Sequence, residues 1–425
     1  MSGGCVARSR AKALSAVLVL PVLVLAACSP RPLSVSQRTR ASATAAVTAA
    51  TPTATASLPT PFPTAPPPPN SLDTLTMFSA GTGWAQRSID GAVLHTTLGV
   101  QHWSVATPQL PTGQQLVAVA FVGAESARAL SASGRSDDPD AAPVSVAFTS
   151  WATDDGGAQW SRGGSFSAVQ DPSSSWESSL DFINVDDGWF SANQDDVDPS
   201  LGMTLFRTVD GGAHWEQVAK IEPAPTPSGS VSCFSQPTAR FISPTTGWLT
   251  GGGCATAQFD VTHDAGLTWA PQSIALLSTP YLLLDDPTFL TSQDGVMLGI
   301  ETGGNGGFVY VTRDAGRTWT QHDTPELWPV AVDFLNTAEG WLLSTNTMNV
   351  GFPAGLYFTD DGGQRWSTLQ SVNTVLPTNI VLNGSVLDFV SPTLGWTDTF
   401  TGNGNDLLQT TDGGRTWQRV SVQVG

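Results

Sequence analysis

The segment Thr359-Asp360-Asp361-Gly362-Gly363-Gln364-Arg365-Trp366 is the clearest indication of the fold, because it is one copy of a sequence motif, called the phrase below, that recurs along the chain. The phrase has the form Thr-x-Asp-x-Gly-x-x-Trp. Its six copies are Thr153/Asp155/Gly157/Trp160, Thr208/Asp210/Gly212/Trp215, Thr262/Asp264/Gly266/Trp269, Thr312/Asp314/Gly316/Trp319, Thr359/Asp361/Gly363/Trp366 and Thr410/Asp412/Gly414/Trp417. A degenerate seventh copy runs from Thr96 to Trp103.

The spacing of these copies sets the architecture. Successive Trp residues of the phrase are 57, 55, 54, 50, 47 and 51 residues apart. That period suits one four-stranded propeller blade and exceeds the roughly 20–30 residues of a solenoid coil. We therefore expect residues 71–425 to form an all-β, seven-bladed propeller of four-stranded antiparallel blades.

A second recurrent feature lies upstream of each phrase and completes the blade. An aromatic residue is followed seven positions later by Trp at Phe182/Trp189, Phe241/Trp248, Phe334/Trp341 and Phe389/Trp396. In the sixth repeat the pattern predicts strands over residues 330–335, 341–344, 356–359 and 365–369. The Asp phrase then falls at the hairpin between the third and fourth strands. Its Asp accepts turn amides, its Gly supplies a positive φ, and its Thr and Trp are expected to pack against the neighbouring blade.

The phrase resembles the Asp-box, or bacterial neuraminidase repeat, which is a folding device in propellers of several functions. The longer repeat is most similar to the photosystem II stability and assembly factor family of seven-bladed propellers, over nearly all of residues 71–425. Sialidase and sortilin-type propellers are more distant. The resemblance to the assembly factors implies binding of a membrane-protein precursor through basic residues. Here Lys220 is the one Lys of the domain.

The N-terminal residues predict export and anchoring. Arg8, Arg10 and Lys12 precede an apolar run of 13 residues, which is too short to span a bilayer that needs about 20 in a helix. The run ends in Leu25-Ala26-Ala27-Cys28, which looks like a bacterial lipobox. We expect a signal peptide over residues 1–27 and lipidation of Cys28 at the extracytoplasmic face of a bacterial membrane. A plain signal peptide is the alternative.

Residues 28–70 are rich in Pro, Thr and Ala, contain no acidic residue and are predicted to be a disordered linker. Six of the 18 Lys and Arg lie in the signal and the linker, which leaves 12 basic against 36 acidic groups in the domain, a net charge of −24. Such a surface repels nucleic acid and anionic lipid headgroups, so charged partners should be cationic. We expect a monomer that meets the membrane only through its anchor.

Two cysteines remain in the predicted domain. Cys233 and Cys254 flank the first two strands of the fourth repeat, in a compartment that permits disulfides. A disulfide that closes this loop would contribute about 3 kcal/mol. A reduced pair is the alternative.

Ligand binding is expected on the face opposite the Asp phrases, because loops of variable length on a rigid scaffold usually carry binding sites. The candidates there are two acidic clusters and two tryptophans outside the repeat positions: Asp137, Asp138, Asp140, Asp195, Asp196, Asp198, Trp176 and Trp328. The acidic clusters would hold Ca²⁺ or a basic partner, or would simply be solvated. The tryptophans would stack on a sugar or peptide, or pack on a blade edge.

Catalytic motifs are sparse. A sialidase-like glycoside hydrolase needs a Tyr nucleophile with a Glu, an acid/base Asp and three convergent Arg. The three tyrosines are Tyr281, Tyr310 and Tyr357, and Arg313, Arg317, Arg365 and Arg415 lie in Asp-phrase turns. No catalytic residue, metal or cofactor is therefore assigned. The sequence favours a non-catalytic propeller that binds a protein or a glycan, with a sialidase-like hydrolase as the alternative. How the ring closes stays open, and a strand from Leu72 to Phe78 swapped onto the last blade is one solution.

Overall fold

The computed structural model describes residues 72–134, 144–170, 179–193, 203–221, 235–252, 257–275, 282–301, 306–326, 328–345, 355–370, 386–401 and 404–425. Among these residues all regular structure is β, and none of them forms a helix long and apolar enough to cross a membrane.

The described strands form seven antiparallel sheets that follow one another along the chain, which confirms the predicted seven-bladed all-β propeller. Blade 1 contains β1 Leu72–Met77, β2 Gly83–Arg87, β3 Val93–Thr96 and β4 His102–Val105. Blade 2 contains β5 Gln115–Phe121, β6 Ala127–Ser133, β7 Val144–Thr153 and β8 Ser161–Gln170. Blade 3 contains β9 Ser179–Phe182, β10 Gly188–Asn193, β11 Met203–Thr208 and β12 Glu216–Ile221.

Blades 4 to 7 repeat this arrangement, except that the first strand of blade 5 is interrupted into β17 and β18, which both pair with β19. Blade 4 contains β13 Ser235–Phe241, β14 Gly247–Gly252, β15 Gln258–Thr262 and β16 Ala270–Pro271, and blade 5 contains β17 Leu282–Leu284, β18 Thr288–Phe289, β19 Gly295–Glu301, β20 Gly306–Thr312 and β21 Thr320–Asp323. Blade 6 contains β22 Trp328–Phe334, β23 Gly340–Thr345, β24 Gly355–Thr359 and β25 Ser367–Gln370. Blade 7 contains β26 Leu387–Phe389, β27 Gly395–Thr401, β28 Gly404–Thr410 and β29 Gln418–Arg419. A last strand, β30 Gln423–Val424, ends the chain.

The sixth repeat forms its four strands where the sequence predicts them, with shifted ends. The first strand begins at Trp328, and the fourth begins only at Ser367. The fourth starts late because the Arg365 amide is held in the turn, where it donates to Asp361 Oδ1 at 2.9 Å.

The seven-residue spacing from Phe to Trp reflects a close approach between the first two strands. Phe182 lies opposite Gly188, and Phe334 lies opposite Gly340. In both pairs the ring covers the glycine so closely that a Cβ added to the glycine would lie 2.5 to 2.6 Å from the nearest atom of the Phe ring. Glycine is therefore required before the Trp of the second strand, and the Phe ring fills the space that its missing side chain leaves.

The Trp of the second strand joins blades 3 and 6 to the blades that follow them. Trp189 stacks on Phe241 of blade 4, and Trp341 stacks on Phe389 of blade 7, each with ring centroids 3.8 Å apart. The same Phe389 meets Trp417 of its own Asp phrase edge-on, at 6.1 Å. Where the second-strand Trp is present, as in blades 3 and 6, the repeated aromatic residues therefore connect neighbouring blades by ring contacts.

The ring closes between blades 7 and 1. The Met77 amide on β1 donates to Asp388 Oδ2 on β26 at 2.7 Å. At the outer edge, β30 pairs in parallel with β4 of blade 1. The swapped N-terminal strand is wrong: β1 pairs with β2 inside blade 1, and the C-terminal strand makes the exchange at the outer edge. The short β30 can add there because β4 is the outermost strand of its blade.

Candidate functional site

The six Asp phrases adopt one hydrogen-bonded turn. In every copy the Thr hydroxyl donates to Asp Oδ1 at 2.8 to 2.9 Å. The Gly amide donates to the Thr Oγ1 at 2.9 to 3.0 Å. The amide four residues after the Asp donates to the same Oδ1 at 2.8 to 2.9 Å. The recurrent spacing of the phrase therefore serves the turn itself.

The Trp that ends each phrase lies just outside the fourth strand, which corrects the strand predicted over residues 365–369. In each copy the fourth strand begins one residue after the tryptophan. The pairs of tryptophan and first strand residue are Trp160/Ser161, Trp215/Glu216, Trp269/Ala270, Trp319/Thr320, Trp366/Ser367 and Trp417/Gln418. Ladder pairing starts late because the amide just before the Trp is already bonded to the phrase Asp.

The phrase tryptophans differ from one another in burial and in hydrogen bonding. Trp160 is half-buried, and its Nε1–H donates to the Ala106 carbonyl of blade 1 at 2.8 Å. Trp269 is also half-buried, but it donates to Gly266 of its own phrase at 3.0 Å. Trp319 is buried, and its Nε1 has no partner among the described residues. The indole N–H is therefore not part of the repeated turn, unlike the Thr, Asp and Gly groups.

The rings of these tryptophans nevertheless contact the preceding blade. Trp160 packs against the buried cluster of blade 1, and Trp269 packs against the cluster that contains Leu205 of blade 3. Trp319 meets Trp248 of blade 4 edge-on, with ring centroids 6.3 Å apart. The ring supplies apolar contact between blades, and the turn does not depend on its N–H.

The phrase turns are also tied to the turns between the first and second strands. In each of the seven blades one amide of the third-to-fourth turn donates to a carbonyl of the first-to-second turn at 2.8 to 2.9 Å. The donor and acceptor pairs are Gly99/Gly81, Gly156/Glu125, Gly211/Asp186, Ala265/Thr245, Ala315/Gln293, Gly362/Ala338 and Gly413/Thr393. Both sets of turns therefore share one face of the ring, which we call the turn face.

The opposite face consists of the segments that join second to third strands and one blade to the next, and we call it the loop face. Of these segments, the structure fully describes residues 88–92 and 106–114 of blade 1. Every gap after Leu72 in the described residues falls in such a segment. The turn face is uniform, whereas the loop face carries the differences between blades.

Most predicted ligand-face and cysteine residues lie outside the described residues: Cys28, Cys233, Cys254, Asp137, Asp138, Asp140, Asp195, Asp196, Asp198 and Trp176. Trp328 is described, and it is the half-buried first residue of β22, paired with Thr345, instead of part of a link. The register of blade 4 pairs Ser235 with Gly252, two residues from each of the two cysteines. The disulfide stays a prediction.

The tyrosines of the third strands have structural partners. The Tyr310 hydroxyl donates to the Ala275 carbonyl at 2.9 Å, and burial raises the pKa of Tyr310. The Tyr357 hydroxyl donates to Glu326 Oε1 at 2.9 Å, and burial followed by this hydrogen bond raises the pKa of Tyr357. Both hydroxyls are therefore held in the protonated form, which is the opposite of what a Tyr nucleophile requires.

The histidines do not gather into a metal site in the part of the chain that the structure describes, where no group of three or more His, Cys, Asp or Glu has metal-binding geometry. His95 Nε2 is bonded to the Ala124 carbonyl at 2.9 Å, and its ring lies 4.3 Å from that of Trp84. His214 Nδ1 lies 2.6 Å from Asp210 Oδ2 within a phrase turn.

A charged chain that sequence reasoning missed crosses the first strands of three blades. Arg240 of β13 contacts Asp181 of β9 at 3.1 Å and Asp286, which lies between β17 and β18, at 2.8 Å. The Phe241 amide also donates to Asp181 Oδ2 at 2.9 Å. All three charged residues are at most 9% exposed. The chain therefore fixes blades 3, 4 and 5 to one another by their first strands.

The hydrogen bonds of Asp286 explain its charge. Burial raises its pKa, but the attraction of Arg240 and hydrogen bonds from the Thr238 and Thr250 hydroxyls outweigh burial, so the pKa of Asp286 lies below its usual value. One signal for the chain was present in the sequence. Asp precedes the first-strand Phe at Asp181, Asp333 and Asp388, and Arg240 takes that position in blade 4.

Asp285 differs from its neighbour. Its Oδ1 accepts the Asp286 amide at 2.8 Å, whereas its Oδ2 is buried and has no partner among the described residues. Burial, followed by repulsion from Asp286, raises the pKa of Asp285 to about 8. This carboxyl is therefore protonated at neutral pH, beside a carboxylate that stays ionised.

Comparison with known proteins supports the fold. Neither a protein-family model nor a curated protein matches this sequence. Similar solved structures include the GH74 xyloglucanase of Xanthomonas campestris, with TM-score 0.53 and 16% identity over 84% of this chain and 55% of that one. A prolyl endopeptidase is also similar, with TM-score 0.53 and 9% identity over 82% of this chain and 49% of that one. Oligopeptidase B of Leishmania major has TM-score 0.50 and 8% identity over 84% of this chain and 49% of that one.

This chain spans about half the length of those three structures. At such low identity the likeness shows the propeller fold alone. The resemblance to Asp-box and assembly-factor propellers stays a prediction from the motifs.

Proposed function

We propose that the protein is a non-catalytic, lipid-anchored extracytoplasmic propeller that binds a protein or glycan partner on its loop face. The observation that carries the proposal is the set of turn-to-turn hydrogen bonds present in all seven blades. Together with the hydrogen bonds among the Thr, Asp and Gly of each phrase, they commit the turn face to holding the scaffold. Binding is then left to the segments that differ between blades.

The described ionisable groups support binding over hydrolysis by a Tyr nucleophile. Tyr310 and Tyr357 donate to fixed acceptors, and Arg240 is neutralised by two carboxylates. Arg365 is engaged with Asp361 on the turn face at 2.7 Å. None of these groups is set to grip the carboxylate of a sialic acid.

The test is capture from the native envelope by the purified full-length protein, together with a glycan array and a fluorogenic sialoside assay. We expect saturable binding to an envelope protein or a glycan without sialoside turnover. Turnover that follows the protein through purification would replace the proposal by the hydrolase alternative. The absence of any ligand in both binding formats would refute the binding role.

The anchor has an independent test. Mass spectrometry of the mature protein should show a diacylglyceryl group on Cys28, lost in Cys28→Ala. Globomycin inhibits cleavage of the lipidated precursor, so treated cells should accumulate the diacylglyceryl form that still carries its signal peptide. An unmodified Cys28 in the wild type would refute the lipid anchor and leave the plain signal peptide.

A glycoside hydrolase is the second candidate, and Asp285 is the observation that favours it. General acids of glycoside hydrolases are carboxyls whose pKa is raised by burial, next to a second carboxyl that stays ionised. Asp285, with its pKa raised to about 8, would be the acid. Asp286 is engaged by Arg240, Thr238 and Thr250, so the second carboxyl would come from another residue.

The raised pKa of Asp285 gives a stability test as well as an activity test. The unfolded carboxyl loses its proton near pH 4, whereas the folded one keeps it to about pH 8. Stability from this group is present below pH 4 and is lost as pH rises from about 4 to 8. Asp285→Asn should therefore flatten the decline of the urea midpoint between pH 5 and 9. Loss of a measured glycosidase activity in the same variant would support the hydrolase, whereas an unchanged pH profile would contradict the buried-acid interpretation.

A further inference from the structure

The third-to-fourth strand hairpin of blade 2 is longer than that of any other described blade. β7 and β8 have ten residues each, whereas the outermost strands of the other blades have two to six. The additional pairing joins residues 144–149 of β7 to residues 165–170 of β8. Because β7 begins and β8 ends at loop-face segments, this extension lies at the loop-face end of the blade.

The outer edge of β8 is open among the described residues. Within the described part of the chain β8 has one neighbouring strand, β7. An edge strand directs every second main-chain N–H and C=O away from its sheet. The Gly164 amide uses this direction to reach the Gly212 carbonyl of blade 3 at 2.8 Å. From Ser165 to Val169 the described hydrogen bonds of the main chain are those of the β7–β8 ladder alone.

The open segment is held in place by its other face. The Phe166 ring lies 4.5 Å from that of Phe206 and 5.3 Å from that of Trp215, both in blade 3. Ala168 is buried in the same cluster. An incoming strand would therefore meet an edge that is already rigid, which lowers the entropy cost of binding.

Two other outer strands of the described blades are protected. The edge of β4 is covered by β30, and β12 carries Glu216 and Lys220 within six residues. Charged side chains on an edge disfavour the addition of a strand. β8 has one charged residue, Arg162, in ten, and Ser165, Ser167 and Val169 are exposed.

We propose that the β8 edge from Ser165 to Val169 takes up an extended segment of a partner polypeptide as an additional strand of blade 2. This rests on the proposed binding function and names the class of its partner. The domain carries a net charge of −24, so a segment flanked by Lys or Arg is attracted, whereas a second copy of this chain is repelled. The parallel addition of β30 to β4 shows the same mode of pairing within this molecule.

The probe is a fluorescein-labelled peptide, Lys-Lys-Thr-Val-Thr-Val-Thr-Lys-Lys, measured by fluorescence anisotropy with the full-length protein. Two control peptides of the same sequence have alternate amides N-methylated, one in each of the two possible registers. They keep the charge, but each loses the main-chain donors on one edge. We expect saturable binding of the unmodified peptide and at least about tenfold weaker binding of one N-methylated peptide, because main-chain hydrogen bonds supply the affinity.

Two double variants with the same charge change separate the edge from the sheet face. Ser167→Lys with Val169→Lys changes exposed residues of β8, and Ser145→Lys with Ala147→Lys changes the residues directly opposite them on β7. The β8 pair should weaken peptide binding at least about tenfold, and the β7 pair should weaken it less than about threefold, since β7 has no open edge. Thermal melts check that both variants are folded.

The inference is overturned if the wild type does not bind the peptide, if both N-methylated peptides bind as well as the unmodified one, or if the two double variants behave alike. A wild-type dimer in sedimentation that the β8 variant abolishes would assign the edge to a second copy and overturn the partner assignment. The proposed function stands separately. If the wild type and both variants hold the same envelope ligand, the edge inference alone fails, and if none holds one, the binding function fails.

Discussion

The junction between blades 6 and 7 and the junction between blades 7 and 1 solve the same packing problem differently. At the first, Trp341 stacks on Phe389 and donates its Nε1–H to the Gly413 carbonyl at 3.0 Å. At the second, Trp396 is equally buried, but its Nε1 has no partner among the described residues. Leu98 replaces the phrase Asp in the blade that Trp396 faces.

The closing junction keeps one contact of the regular junctions. Asp388 Oδ2 accepts the Met77 amide at 2.7 Å, as Asp333 Oδ2 accepts the Phe389 amide at 2.6 Å between blades 6 and 7. What the closing junction adds is the parallel pairing of β30 with β4. The first-strand Asp therefore links both junctions, and a C-terminal strand outside the repeats helps to close the ring.

The largest expected effect separates the two junctions at their tryptophans. Trp341→Ala should destabilise the fold by about 3–5 kcal/mol, because it removes a buried ring with its stack and hydrogen bond. Trp341→Phe should cost about 1 kcal/mol more than Trp396→Phe, because only the Trp341 indole N–H donates a hydrogen bond that the substitution removes. Urea unfolding measures all three. Equal costs of the two Phe variants would contradict the contrast between the junctions.

The charged chain of blades 3 to 5 tests a regular region held by ions instead of rings. Arg240→Met should cost about 3 kcal/mol, because it leaves the carboxylates of Asp181 and Asp286 buried without their cation. The double variant Arg240→Met with Asp286→Asn should recover part of that loss. Calorimetry measures the stability of both variants. An Arg240→Met variant as stable as the wild type would show that the charged chain contributes nothing to the stability of the fold.

Removal of residues 423–425 tests the closing strand. The deletion removes the bonds from the Gln423 amide to Gln101 O and from the Gly425 amide to Trp103 O, both 2.9 Å. Each main-chain bond contributes about 0.5–1.5 kcal/mol, so we expect a loss of about 2 kcal/mol. The loss should be smaller than that of Trp341→Ala. A larger loss would mean that the outer edge, not the tryptophan stacks, limits the stability of the ring.

The smallest expected effect is on the pH dependence of stability in acid. Hydrogen bonding from Arg365 lowers the pKa of Asp361 to about 2, and the pKa values of the other five phrase carboxyls are also lowered. Their stabilisation is present above the unfolded pKa near 4 and is lost as pH falls through the folded value. Asp361→Asn should therefore reduce the fall of the urea midpoint between pH 5 and 2.5. Leu98→Ala, in the degenerate turn of blade 1, should leave that slope unchanged.

Much of the fold was predictable from local spacing. The Asp phrase fixes a turn through its own Thr, Asp and Gly, and the Phe-to-Trp spacing reflects a ring lying over a glycine, so both signals are readable within a short window. The charged chain was less readable. Arg240 lies 59 residues from Asp181 and 46 from Asp286, and their contacts exist only after three blades are assembled.

The phrase tryptophans lie between these two cases. Their positions repeat in the sequence, but whether an indole N–H has an acceptor among the described residues, and which one, differs from blade to blade. Trp160 finds the Ala106 carbonyl, whereas Trp269 uses its own Gly266. A local pattern therefore predicted where the rings lie and could not predict what each one bonds.

The number of blades, the order of strands in each blade and the face on which the repeated turns lie could all be predicted from the amino-acid sequence. Those features depend on hydrogen bonds and side-chain spacings within one repeat and on the number of repeats. The closure of the ring, the buried carboxyl that keeps its proton and the open edge of β8 became evident only in the folded structure. Each of these depends on contacts between blades, or on the lengths of strands relative to their neighbours, which no single repeat contains.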